Sequence, residues 1–154
     1  MISLNKSLRT MQWTNQGLFE DVSKLPADIY GLTAAEGEWP IGRLLTHFIG
    51  AAEWYRFCLT GIAYGNPEKI VNSEVLLKSK NYLNELDQCM INESLKEDEV
   101  LTFANEVGQK DSYRSTILGQ AVMHTAQHWG QIAAILKQHG HHLDLDKYDV
   151  WSLN

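Results

Sequence analysis

Cysteine is scarce in this chain. Only Cys58 and Cys89 occur, and neither belongs to a C-x-x-C pair, which excludes a disulfide framework and a zinc knuckle and leaves two buried free thiols as the expectation. Long apolar runs are missing too: no stretch approaches the ~20 residues that a membrane span needs. The first twenty residues mix Asn5, Lys6, Arg9, Gln12 and Asn15 among the apolar ones, so no signal-peptide core is present. A soluble, cytoplasmic protein without a membrane partner is expected. Basic residues are outnumbered, thirteen Lys and Arg against nineteen Asp and Glu, for a net charge of −6. That balance repels polyphosphate and argues against nucleic acid as a partner. No P-loop, G-x-G-x-x-G fingerprint or Ser/His/Asp set offers phosphate, dinucleotide or acyl-transfer chemistry.

What remains is helical periodicity. A chain of 154 residues suits one domain over 1–154, burying roughly 70% of its unfolded surface around one core. Leu4, Leu8, Met11, Asn15, Leu18 and Val22 form one inward stripe in which Asn15 is the odd member. Pro26 and the Gly31 to Gly37 segment interrupt the pattern. A second helix is predicted from Pro40, carrying Leu44, Leu45, Phe48, Ala51, Ala52, Tyr55 and Leu59 and stopping near Gly61. A third starts at about Ser73, taken as its N-cap, with Leu76, Leu77, Tyr82, Leu83, Leu86 and Met90 inside. A short extended piece is expected at Leu101 to Phe103, beside Gly108. The fourth helix runs from about Tyr113 to His139 with Gly140 behind it. The fold class is therefore all-α, a four-helix bundle. The link from Gly61 to Asn72 reaches ~40 Å when extended, enough for a crossover connection that makes helices two and three parallel. Periodicity leaves that arrangement and a simple up-down bundle both open.

Six histidines occur. His139, His141 and His142 cluster at the end of helix four, where polar or positive groups suit the unpaired carbonyls, and read as a solvated cap. His124 and His128 differ. Four residues of separation turn the helix by ~40° net and raise it by ~6 Å, so both imidazoles share one side, the spacing of a metal chelate. Neighbouring Ala121, Val122, Ile132 and Ile135 place the pair close to the apolar face, where neutral imidazoles need partners. His47, at the border of the stripe of Leu44, Leu45, Phe48 and Ala51, would complete a three-histidine set with an open coordination position, as in catalytic zinc sites. Gly50, Ala51 and Trp54 follow it on nearly the same face, suggesting a small cavity with an aromatic wall. Glu53 is the nearest carboxylate in sequence, but six residues place it ~120° around the helix from His47, and no general base is identified.

These residues carry a family resemblance. His124-Thr-Ala-Gln-His128-Trp-Gly-Gln131-Ile resembles the H-x-x-x-H-R-G-Q signature of the DinB-like proteins. Leu44-Leu-Thr-His47-Phe-Ile-Gly-Ala-Ala-Glu53-Trp54 resembles that family's first-histidine segment, and Gln12-Trp-Thr-Asn15 its helix-one pattern. The resemblance spans nearly the whole chain. It implies a four-helix bundle of up-down-down-up topology, a divalent metal held by His47, His124 and His128, a homodimer, and a bacterial cytoplasmic protein. It also implies relatives that are thiol-dependent transferases or isomerases using bacillithiol or mycothiol, beside others grouped as metal-dependent hydrolases. Trp129 departs from the pattern, standing where the family usually has Arg, which removes a holder for an anionic group. Gly130 is expected to permit close helix packing, and Gln131 to orient a ligand imidazole or remain solvated.

Two functional readings follow. In the first, a three-histidine site leaves the ion open to water or thiol and the protein is a metal-dependent enzyme for hydrolysis or thiol transfer on a small molecule, a low-molecular-weight thiol among the candidates. Zinc, nickel, iron and manganese all accept imidazole. In the second, the protein only binds metal or serves a structural or stress-response role. Trp151, beside Tyr148 and Val150, is the expected contact residue of a dimer, because aromatics are enriched at the cores of interfaces.

Overall fold

The computed structural model describes residues 2–105, 108–151 and 153. Its element order is α1 (Leu4–Ser23), a 3-10 turn at Ala27–Gly31, α2 (Ile41–Thr60), α3 (Ser73–Glu93), β1 (Val100–Asn105), β2 (Gly108–Tyr113), α4 (Arg114–Gln138) and a 3-10 turn at Asp146–Tyr148. The four helices form a bundle in which α1 and α2 each pack against both α3 and α4. The α1 stripe is buried from Leu8 to Val22 with Leu4 half-buried, and the helix starts where the Ser3 hydroxyl accepts from the Lys6 N–H. α2 ends on Gly61, whose φ of 75° is the left-handed conformation that glycine adopts at no steric cost. The cap of α3 is Asn72 rather than Ser73, because its side-chain oxygen reaches the Val75 N–H at 2.9 Å.

The link after α2 lies flat on that helix. At Gly42 a Cβ would stand 2.4 Å from the Ile70 carbonyl, so only glycine allows the approach. One turn on, the Thr46 hydroxyl accepts from the Ile70 N–H at 2.9 Å, and Ile70 is fully buried in the core.

The extended piece expected at Leu101 to Phe103 is present but longer, and it is one strand of a hairpin over residues 100–113 that the all-α expectation did not include. β1 and β2 pair antiparallel, Val100 opposite Tyr113 through Asn105 opposite Gly108. Leu101 and Phe103 face the bundle while Val100 and Thr102 face outward, an alternation of period two. β2 is Gln-Lys-Asp-Ser between Gly108 and Tyr113, so it lacks the apolar alternation that marks a strand in sequence. The hairpin is held by Leu101 and Phe103 against the core and by a polar clamp beside it: Arg114, on the first turn of α4, is buried and paired with Glu93 and Glu99, and Lys96 also binds Glu93.

Other expectations change in detail. Both cysteines are free, but only Cys58 is buried and Cys89 is half-buried. A Cβ at Gly130 would meet open space, so this glycine makes no close helix contact. Tyr148 packs back on its own bundle, edge-on to Trp13, whereas Trp151 is 80% exposed.

Candidate metal centre

Core packing fixes the three histidines. The residue that follows His47 is Phe48 and the residue that follows His128 is Trp129; both are buried, and their rings pack 4.9 Å apart with Phe19 against each. Anchoring Phe48 and Trp129 in the core turns the preceding histidines toward one another at its border. His124 sits one turn before His128 on the same face. The result is a convergence of ring nitrogens: His47 Nε2 lies 3.0 Å from His124 Nε2, and His128 Nε2 lies 3.1 Å from the same atom. All three rings are half-buried.

This donor set fits a divalent cation. The Nδ1–H of His128 donates to Gln131 Oε1 at 3.0 Å, which fixes the tautomer and leaves Nε2 as a lone pair aimed at His124. A single proton on His124 Nε2 cannot serve both neighbours well, whereas one cation satisfies all three lone pairs. Nitrogens held ~2.0–2.1 Å from an ion and ~90–110° apart stand roughly 2.9–3.4 Å from each other, and the separations of 3.0 and 3.1 Å fall in that range. No carboxylate or thiol joins the group among the described residues. A neutral three-histidine set without a fourth protein ligand has the composition of open rather than closed sites.

The electrostatics suit neutral ligands. Burial pushes the His124 imidazole down to about 4, with His128 and His47 adding to the effect. Burial also lowers His47, reinforced by His128 and by Arg43. Both rings are therefore uncharged at neutral pH, as metal binding requires. The guanidinium of Arg43 stacks 4.1 Å over the Trp39 ring, and Trp39 stands edge-on to His47 at 5.3 Å. Tyr55 flanks His124 at 6.0 Å.

Of the residues singled out in the sequence, His47, His124, His128 and Gln131 come together. Trp54 does not; it packs with Phe57, Tyr64 and Phe103. Glu53 is buried elsewhere, accepting from the Tyr82 hydroxyl at 2.7 Å and from the Gly65 N–H, so it ties α2 to α3 and to the link. Trp129 carries no charge to the site and donates from its indole N–H to Asn15 Oδ1 at 2.9 Å, which explains the polar member of the α1 stripe. The terminal trio stays apart: His139 and His142 are exposed, and His139 donates to the Thr33 carbonyl. Sequence reasoning missed Trp39, Arg43, Tyr55 and Asp87. Arg43 had a readable signal, since it precedes His47 by one turn; Asp87 had none, because its partner Asn15 is remote in sequence.

Comparison with known proteins identifies the family and the fold. The sequence matches the DinB family over residues 1–148. A solved structure described as a DinB-like protein from Bacillus cereus ATCC 10987 has a TM-score of 0.68 at 17% sequence identity, covering 89% of this chain and 91% of that one. At such identity the likeness concerns the fold alone. Among curated proteins no match is found.

Proposed function

This chain belongs to the DinB family, and we propose that it is a metal-dependent enzyme in which His47, His124 and His128 hold one divalent ion and the substrate is a small molecule. The observation that carries the reading is the convergence of three Nε2 atoms with no fourth protein ligand. Zinc, nickel, iron or manganese would fit imidazole donors. Bound there, such an ion supplies Lewis acidity at neutral pH, the chemistry that hydrolysis and thiol transfer share. The chain's own residues do the rest. Gln131 holds the His128 ring in its ligating tautomer, Phe48 and Trp129 fix the backbone behind two ligands, and Trp39 and Tyr55 wall the site beside His47 and His124. Arg43, stacked on Trp39, contributes positive charge near His47, which favours a substrate with anionic character, a low-molecular-weight thiol among them.

The alternative, a metal that only stabilises, is disfavoured by the same ligand count. The bundle has a continuous core of its own, from Leu8 and Phe19 in α1 to Ile132 and Leu136 in α4, and does not need an ion to close it. Screening metal-loaded protein with small thiols against electrophiles, and with esters and amides, tests the enzyme reading. Chelation should abolish the activity found while helical circular dichroism persists; helices that melted on chelation would establish the structural role instead.

The remaining family expectations are proposed on narrower support. Residues 1–154 form one domain of up-down-down-up topology with a crossover between α2 and α3. Contacts from Asn5 to Ser94 and from Glu20 to Lys80 support antiparallel α1 and α3. Those from Phe48 to Trp129 and from Tyr55 to His124 support antiparallel α2 and α4. Among the described residues no helix is long and apolar enough to cross a membrane, in keeping with a cytoplasmic protein. Exposed Trp151 and Met123 support a homodimer; sedimentation showing only monomer at micromolar concentration would exclude it.

A further inference from the structure

Behind the histidines lies a buried carboxylate that the metal site itself does not use. Asp87, on α3, is 1% exposed. Its Oδ2 accepts from the Asn15 side-chain amide at 2.9 Å, and the Asn15 carbonyl oxygen accepts from Trp129, the neighbour of His128. Its Oδ1 has no hydrogen-bond partner among the described residues. A buried carboxylate oxygen left bare is costly, and native structures satisfy such groups with protein or ordered water.

Asp87 borders a small, partly enclosed cavity of ≈ 10 Å³ whose walls include Asn15, Tyr55, His124 and Thr125. That is about the least room that one water molecule occupies, and the polar partners it would need are present in the walls. We propose that Asp87 is a positioning residue for the metal centre, holding at Oδ1 a single buried water that accepts from the Nδ1–H of His124 and so directs that ring's Nε2 toward His47 and His128. The inference rests on the reading of the three histidines as ligands. It gives His124 the support that Gln131 gives His128: a hydrogen bond at the far ring nitrogen, which sets tautomer and orientation. Burial pushes the Asp87 carboxyl up to about 7, partly offset by the Asn15 hydrogen bond, the behaviour of a carboxyl short of donors. A water donating to Oδ1 supplies one.

The test compares zinc affinity, by competition with a chelator, in the wild type, Asp87→Asn, Asp87→Leu and His124→Ala. Asp87→Asn turns an amide donor toward the cavity and Asp87→Leu removes the polar group. Both should weaken zinc binding on the order of 10- to 100-fold, with the metal-free thermal midpoint reported beside each. A lowered midpoint with wild-type zinc affinity would assign Asp87 a purely structural role and overturn the proposal. In the zinc-loaded wild type, the His124 Nδ1–H should give a slowly exchanging proton resonance with a cross-peak to a long-lived water. Absence of that cross-peak overturns the proposal even where no variant folds. If the wild type binds no zinc, or His124→Ala binds as tightly as the wild type, the ligand assignment falls and the proposal with it. If His124→Ala loses zinc while the Asp87 variants keep it, only the role of Asp87 fails.

Discussion

Two polar clusters are built into this bundle, and they are satisfied in opposite ways. Around Arg114 every charge has a counterpart: Glu93 and Glu99 take its guanidinium, Lys96 takes the second oxygen of Glu93, and the Arg114 Nε–H donates to the Glu97 carbonyl at 3.0 Å. Nothing further is needed there, and the cluster explains itself as the clamp between α3, the hairpin and α4. The histidine cluster brings three imidazole Nε2 atoms together without enough protons between them to satisfy every lone pair. A group complete within the chain indicates structure, whereas one that converges and stays incomplete indicates a ligand.

The largest effect that would sharpen this contrast is loss of a ligand. His124→Ala or His128→Ala should lower metal affinity by orders of magnitude, while His141→Ala, in the terminal trio, should leave it unchanged; a competition titration reads all three. Equal loss in the three variants would break the distinction. Next is the clamp. Arg114→Met removes the buried partner of Glu93 and leaves that carboxylate only the more exposed Lys96, so the loss should approach but not exceed the about 3–5 kcal/mol of a fully broken buried pair. Denaturant unfolding of metal-free protein should show that loss, with metal affinity per folded chain unaltered.

Smaller still is the support of His128. Gln131→Ala should weaken metal binding on the order of 10- to 100-fold and leave unfolding of the metal-free protein nearly unaffected, since Gln131 is only half-buried. Smallest is the response to acid. His124 has a folded-state value depressed to about 4 against ~6.5 unfolded, so between these values the unfolded chain takes up the proton first. The contribution of His124 to metal-free stability, read as the difference between the wild type and His124→Ala, should therefore fall as pH falls from about 6.5 to about 4, with no further loss from this group below that; Asp87, raised to about 7, contributes in the opposite sense over the same range. His47 is lowered in the same direction. A His124 contribution that rose across this window would contradict the neutral-ligand picture.

Much of this was legible in the sequence because helices advertise themselves locally. Stripes such as Leu8, Met11, Leu18 and Val22 mark α1 without reference to any other element, and His124 and His128 share a face by spacing alone. His47 could be added only by assuming that α2 meets α4, which the Phe48 and Trp129 contact now supplies. The hairpin was half legible: Leu101 and Phe103 alternate, but polar β2 carries no pattern and depends on its pairing with β1 and on Arg114. Asn15 stood out as a polar residue in an apolar stripe, yet its partners Asp87 and Trp129 are set by tertiary packing. Trp129 could be read in sequence only as the absence of the family's usual Arg; its own place, buried and bonded to Asn15, is set by tertiary packing.

X-ray absorption at the metal edge, on protein purified without a histidine tag and loaded with one equivalent of zinc, tests the central claim most directly. Three histidine ligands and an open site predict a first shell of nitrogen and oxygen scatterers at about 2.0–2.1 Å, with imidazole outer-shell scattering from three rings and no sulfur. A shell containing sulfur at about 2.3 Å, or a spectrum unchanged in His124→Ala, would contradict it.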